Sequence, residues 1–304
     1  MINSRKNEIS QSEIKKILKI IDINKNKKLR HETIFFLIYI FLKKTKNENV
    51  YLKKKILSNL SKKLISKLDI KKILDQVNIE TIGYIIDYLF QEQLSITKIK
   101  DINQRKLSGS YYTPFFIAES ITEKTLLAKK NIKILDPCCG TGTFLSAVCK
   151  FLDNKKFSKE DIINSIYAFD INNDALIIAK FIISAELKLS EELTKKFFSN
   201  NNFKNIDSLL MDYPDQNLFS QKNLDIKFDY IVTNPPYERL KPDGYSVEGK
   251  KDIELYIKKI KSKRYDLSLT GNLNLYKLFL EKILKIIEYS CLLYTSPSPR
   301  DKRQ

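Results

Sequence analysis

Ile132-Lys133-Ile134-Leu135-Asp136-Pro137-Cys138-Cys139-Gly140-Thr141-Gly142-Thr143-Phe144 decides the fold. Its first four residues read as a short strand, and the apolar run from Leu145 to Leu152 reads as a helix. Strand, glycine turn and helix, in that order, is how an α/β protein holds a nucleotide. Gly140 and Gly142 let the backbone pass close to a ligand, because neither carries a Cβ. No Gly-Lys-Ser/Thr follows, so this is not a Walker phosphate loop, and the full dinucleotide fingerprint is missing as well.

Downstream, Ile166-Tyr167-Ala168-Phe169 predicts the second strand, ending in Asp170. A carboxylate at that tip can take both hydroxyls of a ribose, and Ile171 is placed to lie on an adenine ring. Ala175 to Leu187 has the 3.6-residue period of a helix, and a weaker strand precedes Asp207 in Asn205-Ile206-Asp207-Ser208-Leu209-Leu210. Phe228-Asp229-Tyr230-Ile231-Val232 predicts a buried parallel strand. It must stop at Asn234-Pro235-Pro236-Tyr237, since two prolines cannot continue a ladder. An amide, a stiff corner and an aromatic ring thus stand at a strand's carboxyl end, the edge where open α/β sheets bind ligands. An exocyclic amine on a nucleobase is a poor nucleophile because its lone pair is spread into the ring. The Asn234 side-chain oxygen and the Pro235 carbonyl can accept its hydrogens and localise that lone pair. Tyr237 offers a flat face to a base taken out of its stack.

The chain has 304 residues and carries 54 Lys+Arg against 36 Asp+Glu, a net charge of +18. That balance suits a polyanionic partner, although a composition loaded with Lys, Ile and Asn also follows from an AT-rich genome. Four Cys and one His offer no zinc spacing, and no metal is called for. Reduced thiols and a cytoplasmic location are the simple expectation. The most apolar run, Ile34 to Leu42, is about half of a membrane span and reads as a buried helix. Helical stripes run through Ile14, Ile17, Leu18 and Ile21, through Ile56, Leu60, Leu64 and Leu68, and through Ile82, Ile85, Ile86 and Leu89. At Gly109-Ser110-Tyr111-Tyr112-Thr113-Pro114 a glycine turn leads into a helix from Phe115 to about Lys129. Its threonine hydroxyl and free amide groups suit an anionic carboxylate. After Tyr237 a polar loop is expected from Glu238 to about Asp252. Asp243, Glu248 and Lys250 within it are too closely spaced for two neighbouring strands to supply a nuclease triad. Gly271-Asn272-Leu273-Asn274-Leu275-Tyr276-Lys277-Leu278-Phe279 then opens an amphipathic helix to about Tyr289.

These stretches resemble, in order, motifs of the amino-group methyltransferases that use S-adenosylmethionine. The Tyr-Tyr-Thr-Pro element resembles motif X of adenine methyltransferases, the Asp136 to Phe144 turn motif I, Asp170 motif II, Asp207 motif III and Asn234 to Tyr237 motif IV. The segment opening at Gly271 resembles its counterpart in the Eco57I and TaqI-like methylases. The resemblance implies a class I methyltransferase fold, a Rossmann-like α/β sheet incomplete at its C-terminal strands, over residues 106–290, preceded by an all-helical domain over 1–105. It implies S-adenosylmethionine as cofactor. Tyr111, Thr113 and Pro114 would line its site. Asp136 would stand near its amino end, with Gly140, Thr141, Gly142 and Phe144 around its methionine and ribose portions. Asp170 and Ile171 would hold its nucleoside. Asp207 would read its exocyclic amine, or act only as a turn residue. Asn234, Pro235, Pro236 and Tyr237 would be the catalytic corner.

The implied reaction is methyl transfer to the N6 amine of a flipped adenine in DNA within a restriction-modification system. A restriction endonuclease or specificity subunit would be a further partner, and no membrane is involved. Two rivals are a protein glutamine methyltransferase, which lacks the Tyr-Tyr-Thr-Pro element, and a non-catalytic DNA-binding subunit. The last stretch, Cys291-Leu292-Leu293-Tyr294-Thr295-Ser296-Pro297-Ser298-Pro299-Arg300-Asp301, resembles the translation of a sequencing adapter. Residues 291–304 are therefore expected to be foreign and the methylase C-terminally truncated.

Overall fold

The computed structural model describes residues 113–211, 226–237, 239–240, 247–263, 265, 268–269 and 273–287, with 49–57 and positions 35, 38 and 39. Most of the expected N-terminal stripes, Gly109 to Tyr112 and residues 291–304 lie outside these.

Among the described residues four short parallel strands form one sheet: β1 (Ile134–Asp136), β2 (Ile166–Asp170), β3 (Phe203–Asn205) and β4 (Tyr230–Ile231). Their order is β3-β2-β1-β4, so β1 is central and the chain crosses the sheet before β4. Leu135 lies opposite Tyr167 on one side and Ile231 on the other. Asp170 lies opposite Asn205. Each strand expected from sequence is present: β2 spans its expected run through Asp170, β1 is moved toward Asp136, and β4 is shorter than its apolar run.

Alternation along each strand splits the core. Ile134, Ile166 and Ala168 face one side, where they pack with Phe144, Leu145, Val148, Ala179 and Ile183. That layer is built from α2 (Phe115–Thr125), α3 (Thr143–Asn154), α4 (Lys159–Ser165), α5 (Asn173–Glu186) and α6 (Glu191–Ser199). Leu135, Tyr167, Phe169 and Ile231 face the other side, against Phe228, Ile283 and Ile286. The last two belong to α8 (Leu275–Ile287). A strand buried on both faces has to be apolar throughout, which is why these strands read as continuous apolar runs. Side-chain caps fix where the helices begin. Asn172 Oδ1 accepts the Asp174 N–H (2.9 Å), and Ser158 Oγ accepts the Asp161 N–H (3.0 Å).

The polar loop expected up to Asp252 is shorter than the sequence suggests, because α7 (Val247–Lys261) begins inside it. Tyr256, Ile257 and Ile260, spaced for one helical face, are drawn into a third apolar cluster with Leu209, Leu240, Leu273, Leu278 and Phe279. The polar residues from Glu248 to Asp252 form the helix's opening turns. Upstream, α1 (Val50–Leu57) docks against α6. Buried Asn49 accepts the Leu52 N–H (3.0 Å) and donates to Leu189 O (3.0 Å) and Thr194 Oγ1 (2.7 Å). Phe35 and Ile38 are helical and buried, as the apolar run around them suggests. Among the described residues no helix is long and apolar enough to cross a membrane.

The two glycines of the turn have different reasons to be glycine. Gly142 (φ +86°) is the N-cap of α3, and a Cβ there would lie 2.8 Å from Ala179 Cβ. It is required by helix packing. A Cβ on Gly140 (φ +52°) would meet nothing within 4 Å. Gly140→Ala should cost only left-handed backbone strain, about 1–2 kcal/mol. Gly142→Ala should cost that plus about 1–3 kcal/mol of overpacking. Urea unfolding of both variants checks the ranking, and equal losses would contradict it.

Candidate active site

The carboxyl ends of the four strands deliver Asp136, Asp170, the segment around Asp207, and Asn234 to one edge of the sheet. β4 stops after Ile231, but one more ladder bond follows, from Val232 N–H to Leu135 O (2.9 Å). Thr233 and the Asn234 corner are thereby laid beside the glycine turn. Cys138 Sγ and Thr233 Oγ1 are 2.9 Å apart.

The turn is braced from below. Asp136 is 2% exposed, and its Oδ1 accepts the Cys138 N–H (3.1 Å). Asp136, expected near a cofactor's amino end, has its carboxylate sealed from solvent and hydrogen-bonded into the turn. Thr233 is its second partner. Ser208 Oγ donates to Pro137 O (2.5 Å), and Cys139 N–H donates to Phe169 O (3.0 Å). Burial pushes the Cys138 and Cys139 thiols well above the usual range, which favours their protonated forms. Thr141 and Phe144 are buried, and Phe144 belongs to the helix-side core. What the structure shows of Gly142 is likewise packing, against α5.

Asp170 faces the turn. Its Oδ2 accepts the Gly140 N–H (2.8 Å) and its Oδ1 the Asn172 N–H (2.8 Å). Burial raises its pKa, and those two hydrogen bonds oppose the rise. Each carboxylate oxygen can accept a second hydrogen bond. Ile171 beside it is 72% exposed and offers an apolar surface next to the turn. Together with the open space at Gly140, these residues fit a nucleoside carrying two adjacent hydroxyls. Asp207 uses Oδ1 to accept the Leu209 N–H (2.9 Å), which makes it a turn residue whatever else it does.

Asn234 sits at the centre of a second cluster. Its Nδ2 donates to Thr113 Oγ1 (2.8 Å), and its Oδ1 accepts from the Tyr237 hydroxyl (3.1 Å). Pro235 is buried, while Pro236 and Tyr237 are partly exposed. Pro114 is the N-cap of α2 and has no side-chain cap bond, so Thr113 is turned toward Asn234. Tyr111 lies outside the described residues. The Tyr237 ring stacks on Tyr276, with centroids 5.0 Å apart and planes at 19°. Sequence reasoning did not single out Thr233, Ser208 or Tyr276. Thr233 adjoins the proline corner, and Tyr276 is an aromatic in the first turn of a helix that follows it; both were visible signals.

Residues 164–298 match the family described as Eco57I restriction-modification methylase. The matched range extends past Ser290. Type II methyltransferase M.AccI of Acinetobacter calcoaceticus is 29% identical over 206 residues, covering 67% of this chain and 30% of that protein. A type I restriction enzyme MjaIX methylase subunit of Methanocaldococcus jannaschii is 27% identical over 148 residues, covering 45% of this chain and 22% of that protein. The chain overlaps a solved DrdV–DNA complex with a TM-score of 0.48 at 17% identity, covering 91% of this chain and 31% of that one, too loosely to bear on the site. The chain thus spans less than a third of the length of each of these relatives.

The buried Asp136 makes a prediction about pH. Burial drives its carboxyl up from 3.8 to about 7, helped by the nearby Asp170 charge and opposed by the Cys138 and Thr233 hydrogen bonds. Glu186 is raised to about 7 as well, mainly by burial. Between the unfolded and folded values the native state keeps the proton and the unfolded chain has lost it. Stability should therefore be highest below pH 4 for these groups and fall as pH rises to 7, by up to about 1.4 kcal/mol per unit for each. Asp136→Asn should flatten its share of that slope. Urea midpoints of both proteins at pH 5 and pH 7.5 test this; identical slopes would contradict the buried-acid reading.

Proposed function

We propose that this chain, whose residues 164–298 match the Eco57I restriction-modification methylase family, forms the catalytic part of an enzyme that methylates the N6 amine of adenine in DNA from S-adenosylmethionine. The observation that carries the reading is the placing of two sites side by side. Gly140, Asp170 and Ile171, which would cradle a nucleoside, and the amide-proline-aromatic corner at Asn234 are joined across the β1–β4 pairing. DNA as substrate is supported by relatives named as methyltransferases and methylase subunits of restriction systems.

The residues divide the work. Asp170 accepts two hydroxyl hydrogens with the lone pairs left over from Gly140 and Asn172, and Ile171 covers a flat ring beside them. When bound, S-adenosylmethionine supplies an electrophilic methyl group whose transfer leaves a neutral thioether. Thr113 fixes the Asn234 amide by accepting from Nδ2, which aims Oδ1 into the site. That oxygen exchanges the Tyr237 hydroxyl for a hydrogen of the adenine amine, and the Pro235 carbonyl takes the other hydrogen. With both hydrogens held, the nitrogen moves toward a tetrahedral shape and its lone pair localises. These interactions strengthen as charge develops, so they lower the barrier more than they tighten ground-state binding. Tyr237 keeps the extruded base in place by stacking. After transfer the nitrogen gives up a proton to water, so no strong general base is required.

Two outcomes are expected of the full-length protein. Asp170→Ala should weaken S-adenosylmethionine binding by about 1.5–3 kcal/mol, roughly 10- to 150-fold, measured by calorimetry. Asn234→Ala should leave that affinity nearly unchanged and abolish transfer of labelled methyl groups to unmethylated genomic DNA. Nucleoside analysis of the wild-type product should place the label in N6-methyladenine. Label in cytosine, or in protein glutamine, would overturn the proposal.

A further inference from the structure

We propose that Tyr276 is a positioning residue for this reaction: it backs the ring of Tyr237 and fixes the plane on which the target base stacks. The proposal rests on the function argued above. A tyrosine following two prolines has a stiff backbone but keeps its side-chain rotations. Something else must hold its ring, or the face presented to a base would wander. The structure supplies that restraint at both ends of the side chain. The hydroxyl is held by Asn234 Oδ1 (3.1 Å) until the amine takes that acceptor, and the ring lies parallel to Tyr276 at 5.0 Å and 19°, a contact that the exchange leaves in place.

Tyr276 is itself firmly placed. It lies in the first turn of α8, where its N–H donates to Asn274 Oδ1 (2.9 Å). On either side of it Leu275, Leu278 and Phe279 are buried in the cluster that also holds Leu209 and Ile260. Farther along, Ile283 and Ile286 pack under the sheet. The chain just after Tyr237 is tied to the same helix start. Arg239 pairs with Asn274, and Leu240 N–H donates to Leu273 O (2.9 Å). Corner and helix start therefore move together, and the two rings are held in register by backbone on both sides.

A centroid spacing of 5.0 Å leaves no room for a base between the rings. A third ring inserted between them would need roughly 7 Å. The base must therefore use Tyr237 ring surface that Tyr276 does not cover, and Tyr237 is only partly buried. Tyr276 acts through Tyr237 and does not itself touch substrate. Its aromatic plane is what backs the Tyr237 ring.

The test uses the full-length protein with three substitutions, Tyr276→Phe, Tyr276→Leu and Tyr276→Ala. Readouts are kcat and KM for labelled methyl transfer to unmethylated genomic DNA, cofactor affinity by calorimetry, and the urea midpoint. The Phe variant should match wild type within about twofold. Leu fills the space without a flat face, and it should lower kcat/KM for DNA on the order of 10- to 100-fold, the scale expected when a reacting group is held slightly out of place. Cofactor affinity should stay within about twofold throughout. Should the Ala variant fail to fold, the comparison of Phe with Leu decides. A Leu variant as active as wild type would overturn the proposal, and so would a Phe variant as impaired as Leu. An Ala or Leu variant with a lower KM for DNA would mean that Tyr276 occupies the base's own place, which also overturns it. A wild-type protein that transfers no methyl group overturns the functional reading and this proposal together, whereas an unimpaired Leu variant beside an active wild type overturns this proposal alone.

Discussion

One parallel ladder does more than any other interaction to make this site. β1 and β4 are distant in sequence, and they pair over only two residues before Val232 N–H reaches Leu135 O. That pairing decides that the glycine turn and the proline corner share an edge. If β4 lay elsewhere, Asp170 would still face the glycine turn, and Asn234 would stand away from it. The 2.9 Å approach of Cys138 and Thr233 is the visible seam between the halves. Because Pro235 and Pro236 forbid further pairing, the seam ends where ligands must enter.

The two carboxylates at this edge show how burial divides roles between like groups. Asp136 is sealed, and its pKa is driven to about 7, so near neutral pH it carries only part of a charge. Asp170 is also raised by burial but keeps two backbone hydrogen bonds that favour its ionised form. The Asp170 charge itself helps push the Asp136 carboxyl up. Asp136 instead holds the turn's shape through Cys138 N–H, at a cost in stability that rises with pH.

The order of strands and helices was legible because both signals used for it are local. Apolar runs gave the doubly buried strands, and glycine and proline marked where they end. The position of α7 was missed because its opening residues are polar, and only the later Tyr256, Ile257 and Ile260 reveal the helix. At the site, Asp170, Gly140 and Asn234 stood out as chemical types at strand ends. What sequence could not give was direction. Asp136 and Asp170 look alike as strand-terminal acids, and only the folded register shows one pointing beneath the turn and the other at it. Gly140 and Gly142 differ in the same way, since only the fold shows open space at the first and packing against Ala179 at the second. Tyr276 was one of sixteen tyrosines until the fold laid it on Tyr237.

Thr113, Asn234, Tyr237 and Tyr276 form a continuous chain of contacts from the start of α2 to the start of α8. Every link satisfies a polar group or covers a ring, so the site has little to lose by closing on itself. The link from Tyr237 to Asn234 Oδ1 uses the acceptor that the proposed reaction needs. An arriving amine replaces one hydrogen bond with another of similar strength, so the exchange costs little net free energy. Meanwhile Thr113 keeps the amide aimed and Tyr276 keeps the ring flat, so the acceptor is oriented before substrate arrives. Preorganisation of that kind lets binding energy act on the reacting amine without being spent on assembling the site.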